Sequence, residues 1–223
     1  MVRAPFGCAN IFREPLIYIN VVSRAKVGTC GVMVTNPDQV ESLLDAALKA
    51  REAPSAEAMA EALDVLPAAI YLTDTEGRIT HFNKACVDFA GRVPQTGADR
   101  WCVSWRLYSD DGEPMPPEKC PMAMAIRERR PVRGVEAWAE RPDGSRVRFR
   151  PFPTPLFDDS GELVGAVNLL IDVTDRHRAD ELHQQAARCR RLAGTVGDRR
   201  TVEALTAMAS EYDEEASRLD RAH

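Results

Sequence analysis

From residue 37 onward, apolar side chains at Val40, Leu43, Leu44, Ala47 and Leu48 recur in the three- and four-residue steps of one helical face. Asn36 and Pro37 supply an N-cap and a first-turn proline, so a helix is predicted from there until Pro54. A second helix is predicted over residues 56–65, ahead of Pro67, because a proline drives the residue before it out of helical backbone. The period then changes. Ala69–Thr73 reads as a strand, residues 74–77 as a tight turn and residues 78–82 as the returning strand. Asn83 can cap a short helix over Lys84–Ala90. Residues 91–117 are rich in Gly, Pro and Asp, and read as an irregular stretch pinned by Trp101, Trp105, Leu107 and Tyr108. A helix over about 118–129 follows, with Met122, Ala125 and Ile126 on one side. Strands are then predicted over 132–141 and 145–152, joined by Pro142-Asp143-Gly144, and over 163–173 behind the turn 158–161. The simplest packing of this order is α+β: a five-stranded antiparallel sheet with short helices on one face.

The remaining segment is helical in pattern. Ala179, Leu182, Ala186, Cys189 and Ala193 form an apolar seam, residues 194–197 break it, and Asp198 can cap a second helix carrying Val202, Leu205, Ala209, Tyr212, Ala216 and Leu219. The first helix is rich in Arg and the second ends acidic, which favours an antiparallel hairpin. Two such hairpins can associate as a four-helix bundle. The predicted organisation is an N-terminal segment over 1–54, irregular and then helical, a sheet domain over 55–176 and a helical hairpin over 177–223. Residues 1–35 show neither periodicity, and Met33, just ahead of the first orderly segment, is a candidate translation start.

Composition narrows the function. Of 223 residues, 44% are apolar and 28% charged, the balance of a globular domain. No apolar run is long enough to span a bilayer, and the stretch 11–22 is broken by Arg13, Glu14, Pro15 and Asn20, unlike a signal peptide. A formal net charge of -5 argues against direct nucleic-acid binding. The six cysteines, Cys8, Cys30, Cys86, Cys102, Cys120 and Cys189, contain no C-x-x-C pair and read as reduced thiols of a cytoplasmic protein. No Ser-His-Asp, H-E-x-x-H or P-loop arrangement is visible, and His183 is followed by Gln184 and Gln185 where a phospho-accepting histidine would need an acidic neighbour. The expectation is a non-catalytic protein whose four histidines, His81, His177, His183 and His223, lie at the surface.

Three separately placed matches resemble one family. Residues 66–70 (Leu-Pro-Ala-Ala-Ile) with Asp74, Gly77, Ile79 and Asn83 resemble the opening of a PAS domain, and Asp172-Val173-Thr174-Asp175-Arg176 resembles its closing D-[IV]-T-x-R signature. Residues 141–144 and 161–168 also fit, so the resemblance covers about 60–176. It implies a sensor or interaction module that couples a ligand or partner event to its flanking helices. It leaves the cofactor unknown, with haem, flavin, small organic acids and no ligand all open. The reactive-cysteine helix of the flavin-binding light sensors has no counterpart here. Residues 118–130 also lack the histidine that the resemblance would require for haem, leaving Met122, Met124 or Cys120 as iron ligands in principle.

A two-residue loop at Asp143-Gly144 would pair Trp138 with Phe149 on the inner face and leave Arg146, Arg148 and Arg150 outside. Together with Phe82, Trp101, Trp105, Met122 and Ile126, these two aromatics would either wall a small-molecule pocket or fill a core. Asn168 stands alone in an apolar strand and would bond either a ligand or neighbouring backbone. Because both faces of that strand are apolar, something must cover the outer one: the helix over 37–52, the helix after Asp175, or a second subunit. The expected partners are accordingly a second copy of the chain, a histidine kinase or response regulator and a small-molecule ligand. Neither nucleic acid nor membrane is expected.

Overall fold

In the computed structural model the described residues are 37–53 and 55–221. The expectations for residues 1–36, including Asn36 as a cap, Met33 as a start and the states of Cys8 and Cys30, lie outside them, as do those for Pro54 and His223. Helices α1 (Pro37–Ala50) and α2 (Ala56–Asp64) lead into strands β1 (Ala69–Thr73) and β2 (Ile79–Phe82), helix α3 (Lys84–Ala90) and strand β3 (Arg106–Ser109). Helix α4 (Pro121–Glu128) precedes β4 (Ala137–Glu140), β5 (Arg146–Pro151), β6 (Thr154–Phe157) and β7 (Leu163–Asp172), and the chain continues into α5 (Thr174–Ala193) and α6 (Arg199–Arg221).

The sheet is antiparallel in the order β2-β1-β7-β5-β4-β3, with β6 also pairing β7, so it has seven strands and not the five expected. One addition is a broken strand. β5 and β6 lie along the same edge of β7, Pro151 opposite Leu170 and Thr154 opposite Val167, with Phe152 and Pro153 between. A proline cannot donate to a ladder, so the strand stops and resumes. The other addition is β3, inside the stretch read as irregular: its four residues show too little alternation to be recognised without β4 as a partner. The strand predicted over 132–141 shrinks to β4, because Gly134 turns with φ 73° just before it. The helix predicted from 118 begins as a 3-10 turn over Pro117–Lys119. It restarts at Pro121 behind Cys120, whose sulfur accepts from Ala123 N at 3.4 Å.

Alternation along β1 and β7 divides the interior into two layers. Tyr71, Ala166 and Leu170 face α3 and α4 in one cluster; Ile70, Leu72, Val167 and Leu169 face Val40, Leu44 and Ala47 of α1 and Leu63 of α2 in another. Each Val, Leu or Ile side chain taken from water is worth about 1.5–3 kcal/mol, so the second layer rewards α1 for docking rather than leaving the face to solvent. The cover that the outer face requires is therefore supplied within the chain.

Asn83 ties the two layers together. Its Oδ1 accepts from Ile70 N at 3.0 Å and from Cys86 N at 3.3 Å, while Nδ2 donates to Leu63 O at 3.1 Å and Ala68 O at 2.8 Å. Four bonds satisfy the whole amide, so one buried side chain caps α3 and holds α2 against β1. At the other end, Asp198 caps α6 by accepting from Thr201 N at 2.9 Å, and Ala186, Cys189 and Ala209 pack between α5 and α6.

Replacing Asn83 with Ala leaves two carbonyls and two backbone N–H groups without their partner, at about 1–3 kcal/mol for a buried group so stranded. Urea denaturation of N83A is expected to give a total loss of about 3 kcal/mol or more, against less than about 1 kcal/mol for removing the exposed helix cap in Ser55→Ala.

Candidate functional site

Tyr71 and Asn168 stand directly opposite each other on β1 and β7 and meet at the centre of the inner layer. Asn168 is 2% exposed. Its Nδ2 donates to Tyr71 Oη at 2.9 Å, and its Oδ1 accepts from Phe152 N at 3.0 Å. The Tyr71 hydroxyl donates in turn to the carbonyl of Trp101 at 2.8 Å. Burial first, and then the neighbouring Cys102 and Cys120 thiols, push the Tyr71 pKa well above its ordinary value, so the hydroxyl is a neutral donor at any physiological pH.

The far end of this chain of hydrogen bonds is strained. Trp101 has φ 71°, a left-handed conformation that a bulky side chain adopts only when its surroundings impose it. Its N–H is held by Gly77 O at 2.7 Å, and its ring lies so close over Gly77 that a Cβ there would meet the ring at 2.1 Å. Gly77 is thus required twice, for its own φ of 79° and for the approach of the indole. The turn at Trp101 aims its carbonyl inward and brings Cys102 to the floor of a half-open groove of about 210 Å³, lined also by Ser104, Trp105, Leu107, Tyr108 and Met115. Burial raises the Cys102 thiol pKa, and the thiol lies 3.4 Å from Ser104 Oγ. Burial also raises Cys86 and pushes Cys120 up to about 12, so these are protonated thiols and not nucleophiles.

Of the residues picked from sequence, Phe82, Trp101, Met122, Ile126 and Phe149 meet in the inner layer, with Asn168 bonded into it. Phe149 packs edge-on against Phe89, ring centres 5.3 Å apart. Trp105 does not join them: it is 55% exposed at the groove. Trp138 is on the opposite face. The β4–β5 loop has three residues and not two, since Arg141 N bonds Ser145 O across Pro142-Asp143-Gly144 and Gly144 turns with φ 84°. One extra loop residue moves the register by one and turns the side chain over, so Trp138 pairs with Arg148 and Ala137 with Phe149. Among the described residues no set of three or more His, Cys, Asp or Glu is arranged to hold a metal ion.

The corrected register creates a second constellation outside. Glu140 lies opposite Arg146 and Trp138 opposite Arg148, with the Arg148 guanidinium 5.4 Å from the Trp138 ring centre. Glu136, next in the alternation, accepts from Arg148 at 3.0 Å and Arg150 at 2.5 Å and meets His177 of α5 at 2.7 Å. Burial works to raise its pKa, but the hydrogen bonds from Arg150, His177 and Arg148 together hold it down to about 2. The closing motif locks the same place: Asp172 accepts from Thr174 N at 2.9 Å, and the Thr174 hydroxyl accepts from Arg148 N at 2.9 Å. Sequence reasoning missed Tyr71 and Glu136. A hydroxyl inside the apolar run 69–73 was a visible signal for the first, and three outward arginines needing an acid on the facing strand for the second.

The family model described as PAS fold matches residues 63–178, just over half of the chain. No curated protein matches it. Solved structures similar to the chain include the PAS domain of a protein from Colwellia psychrerythraea (20% identity, 53% of this chain and 96% of that one, TM-score 0.35). Others are the Rhodobacter sphaeroides LOV protein (13%, 81% and 98%, TM-score 0.39) and the PAS domain of BvgS from Bordetella pertussis (24%, 57% and 94%, TM-score 0.35).

Tyr71→Phe deletes one oxygen and leaves the Asn168 amide and the Trp101 carbonyl each short of a buried partner. A stability loss of about 1–3 kcal/mol is expected in thermal or urea unfolding, larger than for the Tyr→Phe control at half-buried Tyr108, whose hydroxyl bonds the surface carboxylate of Glu140.

Proposed function

The chain belongs to the PAS-fold family, a family of signal-sensing domains, and from that premise we propose that it is a sensing and interaction module whose output leaves through α5 into the α5–α6 hairpin. The observation that carries this reading is the hold that Glu136, on the sheet's outer face, has on His177 in the first turns of α5. The same carboxylate holds Arg148 and Arg150 of β5, and the backbone of Arg148 is bonded to Thr174. Any displacement of β4 or β5 therefore acts on the start of a 20-residue helix through charged, directional contacts.

The inner layer supports a partner-driven signal over an enclosed ligand. Asn168 and Tyr71 satisfy one another and the backbone, so neither needs a ligand's polar group. The hairpin is the surface offered to partners: a second copy of the chain forming a four-helix bundle, with a histidine kinase or response regulator downstream. A signal on this reading acts by binding two helix arrangements unequally, since equal affinity shifts nothing.

Because the folded pKa of Glu136 lies below the ordinary 4.5, its contribution is fully present above pH 4.5 and is lost as pH falls towards 2. Glu136→Gln should remove that part of the acid dependence. At neutral pH it should raise amide exchange at the start of α5 while leaving β1 and β7 protected; unchanged exchange in α5 would contradict the relay. Wild type and E136Q should also differ in dimer dissociation by analytical ultracentrifugation, and identical behaviour would detach the sheet from the hairpin.

A further inference from the structure

Along the hairpin, one imidazole is set between two carboxylates of the facing helix. Asp213 and Asp220 are seven residues apart on α6, two turns and about 10.5 Å along one stripe. Between them lie two small residues, Ala216, which is fully buried, and Ser217, so the α6 surface is low there. His183 of α5 crosses this gap: Nδ1 lies 3.3 Å from Asp213 Oδ1 and Nε2 lies 3.4 Å from Asp220 Oδ2. Only the imidazolium carries a proton on both nitrogens. Neutral histidine can donate to one carboxylate and must present a lone pair to the other, which is repulsive at that distance.

We propose that His183 is a proton-binding site that clasps α5 to α6, so that the hairpin closes when His183 is protonated and loosens along residues 213–220 when it is not. The proposal concerns the hairpin alone and stands whether or not the hairpin carries the sheet's signal. The other charges around the imidazole are accounted for. Arg190 also bonds Asp213, and Arg178 bonds Glu215 at 2.9 Å. Asp180 and Glu181 precede His183 on α5, and Glu214 and Arg218 lie in the same stretch of α6. Asp213 first, and then Asp220, raise the His183 pKa above its ordinary 6.5. A raised pKa makes the clasp fully present below pH 6.5 and loses it as pH rises through the higher folded value. The transition thus lies above the ordinary 6.5 of histidine, the side chain suited to switch nearest physiological pH. The buried positions of the seam between the helices are mostly small, Ala179, Ala186, Ala209 and Ala216 with Cys189, and each such side chain contributes little apolar area for docking.

The test uses the full chain. His183 ring protons, assigned by their absence in His183→Gln, are titrated by NMR, and α6 amide exchange, corrected for intrinsic rates, is followed from pH 6 to 9. The expected midpoint is above 6.5 and returns towards 6.5 in Asp213→Asn/Asp220→Asn. Protection over residues 213–220 should fall severalfold across that range in wild type. It should be low and flat in His183→Gln, and high and flat in His183→Arg, which keeps the charge at every pH. A wild-type midpoint at or below 6.5 would overturn the proposal, as would the same pH-dependent loss of protection in H183Q.

Discussion

A ten-residue strand that is apolar on both faces cannot be left against water on either side, and β7 imposes that condition on everything around it. Its two edges are taken by β1 and by β5 with β6; its two faces are taken by α3 and α4 on one side and α1 and α2 on the other. Gly165 within it allows the close crossing of β1, since a Cβ at that position would meet the carbonyl oxygen of Thr73 at 2.1 Å. The N-terminal helices belong to the core of the domain for this reason, and Asn83 fixes where they attach by bonding α2 and β1 through one amide.

The sheet's inner and outer faces do different work. Inside, Asn168 answers Tyr71 and Tyr71 answers Trp101, and the surrounding thiols are kept protonated by burial. Outside, the half of the face that α1 leaves uncovered is a ladder of opposite charges running from Glu140 and Arg146 to Glu136 and Arg150, with Trp138 and Tyr108 lying under arginine side chains. Cross-strand pairs of this sort order the edge strands without needing an apolar partner. The ladder ends at α5, so the junction between domain and hairpin is electrostatic at the point where the sheet is most polar.

Much of this architecture was legible because it rests on local rules. The two apolar seams of the tail appear as helices meeting through Ala186, Cys189 and Ala209; the helix over Lys84–Ala90 and its Asn83 cap are found where their pattern put them; and the apolar character of both faces of β7 called for cover on each. The misplaced site residue has a simple cause. Trp138 was turned to the wrong face by a single residue in the count of a loop, and a strand's side-chain period of two makes that error complete.

The sequence by itself determined the helices, the longer strands and which positions are apolar, since capping, turn chemistry and periodicity act between near neighbours. Only the tertiary structure decided that β3 is a strand, that Tyr71 meets Asn168, that Glu136 gathers two arginines and a histidine, and that His183 lies between Asp213 and Asp220. Each of these joins residues from separate elements, from 12 positions apart for Glu136 and Arg148 to 97 for Tyr71 and Asn168. Such contacts depend on register, loop length and which helix covers which face, and those are fixed only when the whole core closes.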